Sequence, residues 1–249
     1  MPITPAHAAA AWPLHGAFRR LPASALVIGT MSPDLQYVLR LEPVGKFGHT
    51  PAGLFLFCLP VTLVLWWAWR ATIRPALTPL LPAGIRAVSQ APPTGRASDA
   101  VPLAVVAALV GAATHILWDG FTHDTGWAVA LFPVMRQTAS QAIPIQWFSL
   151  AQYVSTVVGS VIVAVWIVRE WRRWPREARR FAPGEIVRLA RVALFLVSMT
   201  LAVGAANAML ASDWISALAR LAVGSILGVA VALTIYAAWA ASRGRMGPH

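Results

Sequence analysis

The chain has 249 residues, of which 58% are apolar and only 12% are charged, and its formal net charge is +11. Ordinary soluble domains carry roughly 25% charged residues, so this composition excludes a disordered chain, a nucleic-acid-binding domain of normal solubility and a disulfide-stapled secreted module. In so apolar a chain the arginine excess indicates membrane topology, and Cys58, the single cysteine, has no partner within the chain for a disulfide.

Two apolar stretches precede residue 50, and both are shorter than the usual transmembrane length, which leaves open whether they fully cross the membrane. They cover residues 5–18 and 22–33 and are separated by Arg19-Arg20. A helix needs roughly 20 apolar residues to cross about 30 Å of hydrocarbon. The two stretches therefore predict a hairpin of short helices. No positive segment lies ahead of the first stretch, which argues against a secretory signal peptide.

Five later stretches are long and apolar enough to predict transmembrane helices. They cover residues 52–69, 101–118, 148–168, 192–211 and 217–241. The sequence thus predicts an all-α, polytopic membrane helix bundle of five spans plus the N-terminal hairpin. The proline-rich segment 70–100 predicts an irregular connection. We divide the chain into a site-bearing membrane region, 1–147, and a C-terminal three-span membrane region, 148–249.

The basic residues indicate how this bundle is oriented. Most of them lie between the two short helices, in loops 70–100 and 169–191, and at the C-terminus. By the positive-inside rule these segments are cytoplasmic, and loops 34–50 and 119–147 lie outside. The arginine-rich segment 169–191 is typical of an anchor on anionic lipid headgroups.

Histidine and aspartate residues gather at the outer ends of the first four predicted helices. His7 lies in the first turn of the first short helix, and Asp34 ends the second. His49 immediately precedes the span 52–69, and His115 and Asp119 close the span 101–118. Separate segments therefore bring the same residue types to one membrane level.

The pair His115 and Asp119 is spaced i, i+4, which places both side chains on one face of a helix. Neutral imidazole and carboxylate are normal zinc ligands, and catalytic zinc commonly leaves one position for water. The spacing alone also fits a hydrogen-bonded pair on a helix surface. Adding Asp34, His49 and His7 at the same level favours a metal site, because ionisable residues are costly at membrane depth and usually functional.

One metal ion needs only three or four ligands, so five candidates leave room for two ions or for a carboxylate that acts as general base. Asp34 and Asp124 are the candidates for that base. His123, Thr50 and Thr122 are candidates for the hydrogen-bonding partners around the ligands.

These residues stand in motifs that resemble a known family. The motifs are Thr4-Pro5-Ala6-His7, Ser32-Pro33-Asp34, Gly48-His49-Thr50, and Thr114-His115-Ile116-Leu117-Trp118-Asp119 with Thr122-His123. Over about residues 1–130 they resemble the bacterial membrane family called domain of unknown function 4184. They are more remotely similar to inner-membrane metal-dependent hydrolases, which are in turn compared with zinc-dependent phospholipase C.

The resemblance implies a metal-dependent hydrolase in the bacterial inner membrane, with its ligands at His7, Asp34, His49, His115 and Asp119. Two departures leave the number of ions open. Leu35-Gln36-Tyr37 stands where the hydrolases carry an acidic-His extension, and Gly48-His49-Thr50 replaces their Thr-His.

The sequence therefore predicts a hydrolase of phosphoester or lipid-derived substrates that uses Zn²⁺ or another divalent transition metal, as one or two ions, near the extracytoplasmic face. We expect membrane lipids and an amphipathic substrate as partners, and no nucleic acid. One alternative is a non-catalytic protein whose metal ion pins the short helices. A transporter ranks lowest, because the last two long spans offer no midplane charges and no internal repeat is evident.

Overall fold

A computed structural model describes residues 4–89, 97–140 and 144–245. Within these residues no β-strand forms, and a single isolated bridge joins Thr138 and Gln146. The helices in chain order are α1 (Ala11–Ala17), α2 (Ala23–Met31), α3 (Leu35–Arg40), α4 (Pro51–Leu80), α5 (Ala83–Ser89), α6 (Ala97–Thr122), α7 (Trp127–Leu131), α8 (Trp147–Arg172), α9 (Pro183–Ala208) and α10 (Trp214–Arg245). The predicted all-α class is confirmed.

Five helical segments are long and apolar enough to cross a membrane, as the sequence predicts. They are Pro51–Leu80, Ala100–Leu131, Trp147–Arg172, Pro183–Ala208 and Trp214–Arg243. Their outer faces carry large apolar side chains, such as Val157, Val161 and Ile167 of α8, that are more than half exposed. Exposed apolar faces on several long helices identify a multi-pass membrane protein, since lipid can cover them.

Several boundaries differ from the sequence prediction. The predicted irregular segment 70–100 is helical up to Leu80 and again in α5, while residues 90–96 lie outside the described part of the chain. A proline inside a helix clashes with the carbonyl four residues earlier. Here a π-helical stretch, Trp69–Ile73, directly precedes Arg74-Pro75 and changes the local hydrogen bonding. Likewise α9 begins at Pro183 rather than near residue 192, so the helix itself carries part of the arginine-rich segment.

The chain forms two compact units. The first comprises Met1–Leu35, Lys46–Trp66 and Gly95–Glu170, and the second comprises Gln36–Gly45, Trp67–Thr94 and Trp171–His249. Helix α4 contributes to both units. All of the candidate site residues belong to the first unit.

The core of the first unit forms where α1 and α2 pack with α6. Leu26 of α2 and Ala104 and Ala107 of α6 are fully buried in it. Small residues allow a close approach of α2 and α6, because a Cβ added at Gly111 would lie 2.6 Å from the carbonyl oxygen of Leu26. A Cβ added at Gly29 would lie 2.8 Å from the carbonyl oxygen of Ala108. The hairpin is thereby held directly against the helix that carries His115 and Asp119.

The second unit is built around two consecutive antiparallel helices, α9 and α10. Its apolar core includes Val192 of α9 and Tyr236 of α10. Asn207 is buried near the end of α9, where its side-chain amide donates hydrogen bonds to the carbonyl oxygens of Leu41 at 3.1 Å and Arg220 at 2.8 Å. The one strongly polar residue of this predicted span thus serves to connect backbone segments within the unit.

Candidate metal centre

Four separate segments of the first unit supply the predicted ligand residues. His7 lies in a 3₁₀ helix, Thr4–Ala10, that leads into α1. Asp34 ends the 3₁₀ helix that follows α2, and His49 ends a third 3₁₀ helix, Phe47–His49. His115 and Asp119 lie in the last two turns of α6.

The local sequence explains why His49 lies beside Asp34. A Cβ added at Gly48 would lie 2.5 Å from the carbonyl oxygen of Pro33, so only glycine permits this approach of the two segments. The next residue, Thr50, caps α4, because its hydroxyl oxygen accepts a hydrogen bond of 2.9 Å from the Gly53 amide. The cap ends the short segment immediately after His49 and fixes where the membrane helix begins.

Two imidazole nitrogens and two carboxylates converge at the centre of this arrangement. The Nε2 atom of His115 lies 3.1 Å from Oδ2 of Asp119 and 3.5 Å from Oδ1 of Asp34. The Nε2 atom of His49 lies 3.2 Å from the same Asp119 oxygen and 3.5 Å from the same Asp34 oxygen. Ligand atoms of these four residues all lie within 4.8 Å of one another.

These separations fit the coordination shell of a small divalent ion. Zinc binds imidazole nitrogen and carboxylate oxygen at about 2.1 Å, so the edge of its coordination tetrahedron is about 3.4 Å. The four nitrogen–oxygen distances lie between 3.1 and 3.5 Å, close to that edge length. A donor set of two imidazoles and two carboxylates suits zinc and other divalent transition metals. The residues present therefore fit a metal ion.

The His115 ring is oriented by the backbone of α2. Its Nδ1 atom lies 2.7 Å from the carbonyl oxygen of Thr30, and we assign Nδ1 as the protonated nitrogen because a carbonyl can only accept. A neutral ring then directs the lone pair of Nε2 at the carboxylates of Asp34 and Asp119. That arrangement is repulsive unless a proton or a metal ion lies between Nε2 and the carboxylate oxygens. A backbone carbonyl on the remote ring nitrogen is the usual support of a metal-binding histidine.

His7 lies at the edge of the four-residue group. Its ring stacks on that of His115 with a centroid separation of 3.8 Å, and its Nε2 atom lies 3.4 Å from Oδ1 of Asp119. That nitrogen is buried and makes no hydrogen bond, and Oδ1 of Asp34 is in the same condition. Orphaned buried polar atoms are rare and call for an unseen partner such as an ion or water. His7 therefore borders the cluster closely enough to be a candidate fifth ligand.

The ionisation states of Asp34 and His7 suit cation binding. Burial and the neighbouring His115 imidazole lower the pKa of His7 to about 3. Burial would raise the pKa of Asp34, but the nearby imidazoles of His115 and His49 hold it well below its usual range. Burial would lower the pKa of His49, but the neighbouring carboxylates of Asp119 and Asp34 raise it, so a proton on His49 competes with a metal ion. The carboxylate of Asp34 is therefore ionised and His7 is neutral, which are the forms that bind metal.

The residues predicted to surround the ligands do not all lie beside the cluster. The Thr122 hydroxyl lies 3.5 Å from Oδ1 of Asp119, and Nδ1 of His123 lies 3.6 Å from the same oxygen, so both border the cluster. Thr50 is used for the cap of α4. Asp124, a candidate base, is exposed, and its backbone carbonyl accepts a hydrogen bond from Arg136.

Two contributors are not among the sequence-predicted site residues. The hydroxyl of Thr4 donates a hydrogen bond of 2.7 Å to Oδ2 of Asp34, leaving Oδ1 directed at the histidines. Thr4 stands in the same short motif as His7, which is the one available signal for it. The carbonyl of Thr30 carries no sequence signal, since every residue has one.

Comparison with known proteins identifies a family. The family model described as Domain of unknown function (DUF4184) matches residues 1–238, which includes the whole cluster, the first four candidate spans and most of the fifth. No curated protein and no solved structure matches the chain with significant similarity.

Proposed function

The chain belongs to the DUF4184 family, and from the cluster that its first unit carries we propose that it is a membrane-bound, metal-dependent hydrolase of phosphoester or lipid-derived substrates. The observation that carries the proposal is the convergence of His49, His115, Asp34 and Asp119 on one point, with His115 oriented by a backbone carbonyl. A purely structural ion pair needs neither two histidines nor two carboxylates.

The roles of the residues follow from their placement. His49, His115, Asp34 and Asp119 would hold the metal ion, and zinc is the ion we propose. When bound, zinc supplies Lewis-acid chemistry, because it makes a water molecule more acidic and polarises a phosphoryl or carbonyl oxygen. Asp34 remains a candidate base, since one of its oxygens accepts from Thr4 and the other makes no hydrogen bond. His7 would contact the substrate or complete a second ion site.

The location of the protein is part of the proposal. The arginine distribution supports a bacterial inner-membrane protein with a cytoplasmic C-terminus and the cluster near the extracytoplasmic face. At that level the available partners are membrane lipids and amphipathic molecules. Fusion of a cytoplasm-active or a periplasm-active reporter to the C-terminus tests the orientation, and activity of the periplasmic reporter would contradict it.

Metal content is the first test. We expect one or two zinc ions, or another transition metal, per purified chain, and loss of that metal in both His115→Ala and Asp119→Ala. His15→Ala is the matched control, because the His15 ring bonds the carbonyl of Leu21 outside the cluster. Wild-type protein without metal even after reconstitution would contradict the proposal.

Turnover is the second test, and it separates a hydrolase from a structural metal site. The structural alternative has support of its own, because the ligands come from four segments that one ion would tie together. Metal-dependent hydrolysis in a phospholipid and phosphoester panel, absent in His115→Ala, is the result expected of the enzyme. Stoichiometric metal with no turnover above that variant would favour the structural role.

A further inference from the structure

Two adjoining cavities border the cluster within the first unit. Their volumes are about 180 and 550 Å³, and both lie between the N-terminal helical segment, α6 and α8. They share a wall that includes Ala10, Pro13, Trp118 and Ser155. We call the two together the α6–α8 groove. The combined space is of the size that holds a small ligand, for which volumes of about 300–1,000 Å³ are usual.

The α6–α8 groove leads directly to the candidate metal centre. The smaller cavity is lined by His7, whose ring stacks on His115 at 3.8 Å. The larger cavity is lined by Thr122, whose hydroxyl lies 3.5 Å from Asp119. A molecule lying in the groove would therefore present one of its ends to the cluster.

The side chains that line the α6–α8 groove indicate which type of ligand it binds. Apart from His7 and a few hydroxyl groups, the lining side chains are aliphatic, aromatic or proline. An apolar groove of this size does not hold water well. Both α6 and α8 are candidate membrane spans, so lipid chains surround this part of the protein. A lipid acyl chain is thus the apolar group that is available to occupy the groove.

The length of the groove fits one lipid leaflet. On α8 its lining runs from Ala151 to Ile162. At 1.5 Å of rise per residue these positions are about 16 Å apart, which is about half of the roughly 30 Å hydrocarbon core.

We propose that the α6–α8 groove binds the acyl chain of a membrane lipid, and that the cluster beside it acts on the phosphoester of that lipid. The chain-binding step stands by itself, whereas the reaction of the headgroup rests on the proposed hydrolase function. A lipid-linked substrate would be oriented by its chain, while a water-soluble phosphoester would lack that orientation.

Photolabelling tests the groove without requiring turnover. The protein is reconstituted in phosphatidylethanolamine and phosphatidylglycerol vesicles that contain a phosphatidylethanolamine with a diazirine in its acyl chain. The larger side chain of Ser155→Phe fills the groove. The substitution removes a hydrogen bond from the Ser155 hydroxyl to the carbonyl oxygen of Gln152, which lies in the same helix. The matched control is Val154→Phe, since Val154 is 52% exposed and absent from the lining. We expect adducts on residues 4–17 to fall by about tenfold in Ser155→Phe and to persist in Val154→Phe.

Equal labelling of residues 4–17 in the two variants would overturn the proposal. Ala151→Phe repeats the test from a second wall position, in case Ser155→Phe does not fold. Metal content should match wild type in each variant, because none of these residues is a ligand. With an active enzyme, Ser155→Phe should lose turnover of a long-chain phospholipid and keep that of a short-chain analogue. An inactive wild-type protein that still shows the labelling difference would refute the hydrolase and retain the lipid site.

Discussion

At the scale of single residues, the cluster depends on groups that orient the ligands as much as on the ligands themselves. The Thr30 carbonyl selects which nitrogen of His115 faces the carboxylates, and the Thr4 hydroxyl holds one oxygen of Asp34. Because Asp34 is almost fully buried, no water competes for that hydrogen bond. The free oxygen is consequently held toward the histidines.

Removal of the Thr4 hydroxyl should weaken metal binding without removing a ligand. We expect Thr4→Val to reduce zinc affinity by about tenfold or more, the usual cost of losing a hydrogen bond to a metal ligand. Competition with a fluorescent chelator measures it. Thr72→Val is the control, because the Thr72 hydroxyl bonds the carbonyl of Ala68 within its own helix. Affinity equal to that of the control would contradict the orienting role of Thr4.

The residue types of the cluster were predictable from sequence, whereas their supports were not. His115 and Asp119 follow from the i, i+4 spacing, and Asp34 and His49 from their position at helix ends on one predicted level. The contribution of Thr30 is a backbone carbonyl, which leaves no trace in the sequence. Asp124 is only five residues from Asp119, but it is exposed, because α6 ends at Thr122 and the chain turns there.

At the scale of helices, the approach of α2 to α6 determines where the ligands meet. At Gly29 and Gly111 the backbones of α2 and α6 are in direct contact. The same contact brings the Thr30 carbonyl to His115. Apolar periodicity predicts that these helices exist, but it does not predict their separation. That distance depends on the positions of small residues, which is also why the sequence alone left the depth of the hairpin open.

A larger side chain at Gly111 should separate α2 from α6. A Cβ there would lie 2.8 Å from the Thr30 amide nitrogen, so we expect Gly111→Val to cost about 1–3 kcal/mol in the free energy of unfolding. Metal content should fall with it, because His115 loses its support. Thermal unfolding in detergent and elemental analysis measure both effects. Gly184→Val is the control, since a Cβ at Gly184 meets nothing within 4 Å.

At the scale of the whole molecule, the two units differ in what they contain. The first holds the cluster and the α6–α8 groove, whereas the described ligand residues include none from the second. The second is built from α9, α10 and the end of α4, and its core is apolar. The sequence predicts this asymmetry in outline, because five of the six histidines lie in the first half of the chain.

Metal removal should therefore loosen one unit only. Upon chelation we expect faster hydrogen exchange in Thr4–Ala10 and Phe47–His49, and unchanged exchange in α9 and α10. A ligand at 100 times its dissociation constant stabilises the state that binds it by about 2.7 kcal/mol, so the melting temperature should also fall. Exchange mass spectrometry of protein with and without chelator measures the difference. A uniform change in hydrogen exchange across all helices would contradict a stabilisation by metal that is confined to the first unit.

The order of the ligands along the chain has a consequence for biogenesis. His7 leaves the ribosome before its partners His115 and Asp119, which belong to the second of the five candidate spans. Synthesis proceeds at about 5–20 residues per second, so an interval of several seconds separates the first ligand from the last. During that interval a nascent chain can offer the ion only an incomplete set of donors. If the cluster holds a metal ion as proposed, metal acquisition would be a late step of maturation that follows membrane insertion of α4 and α6.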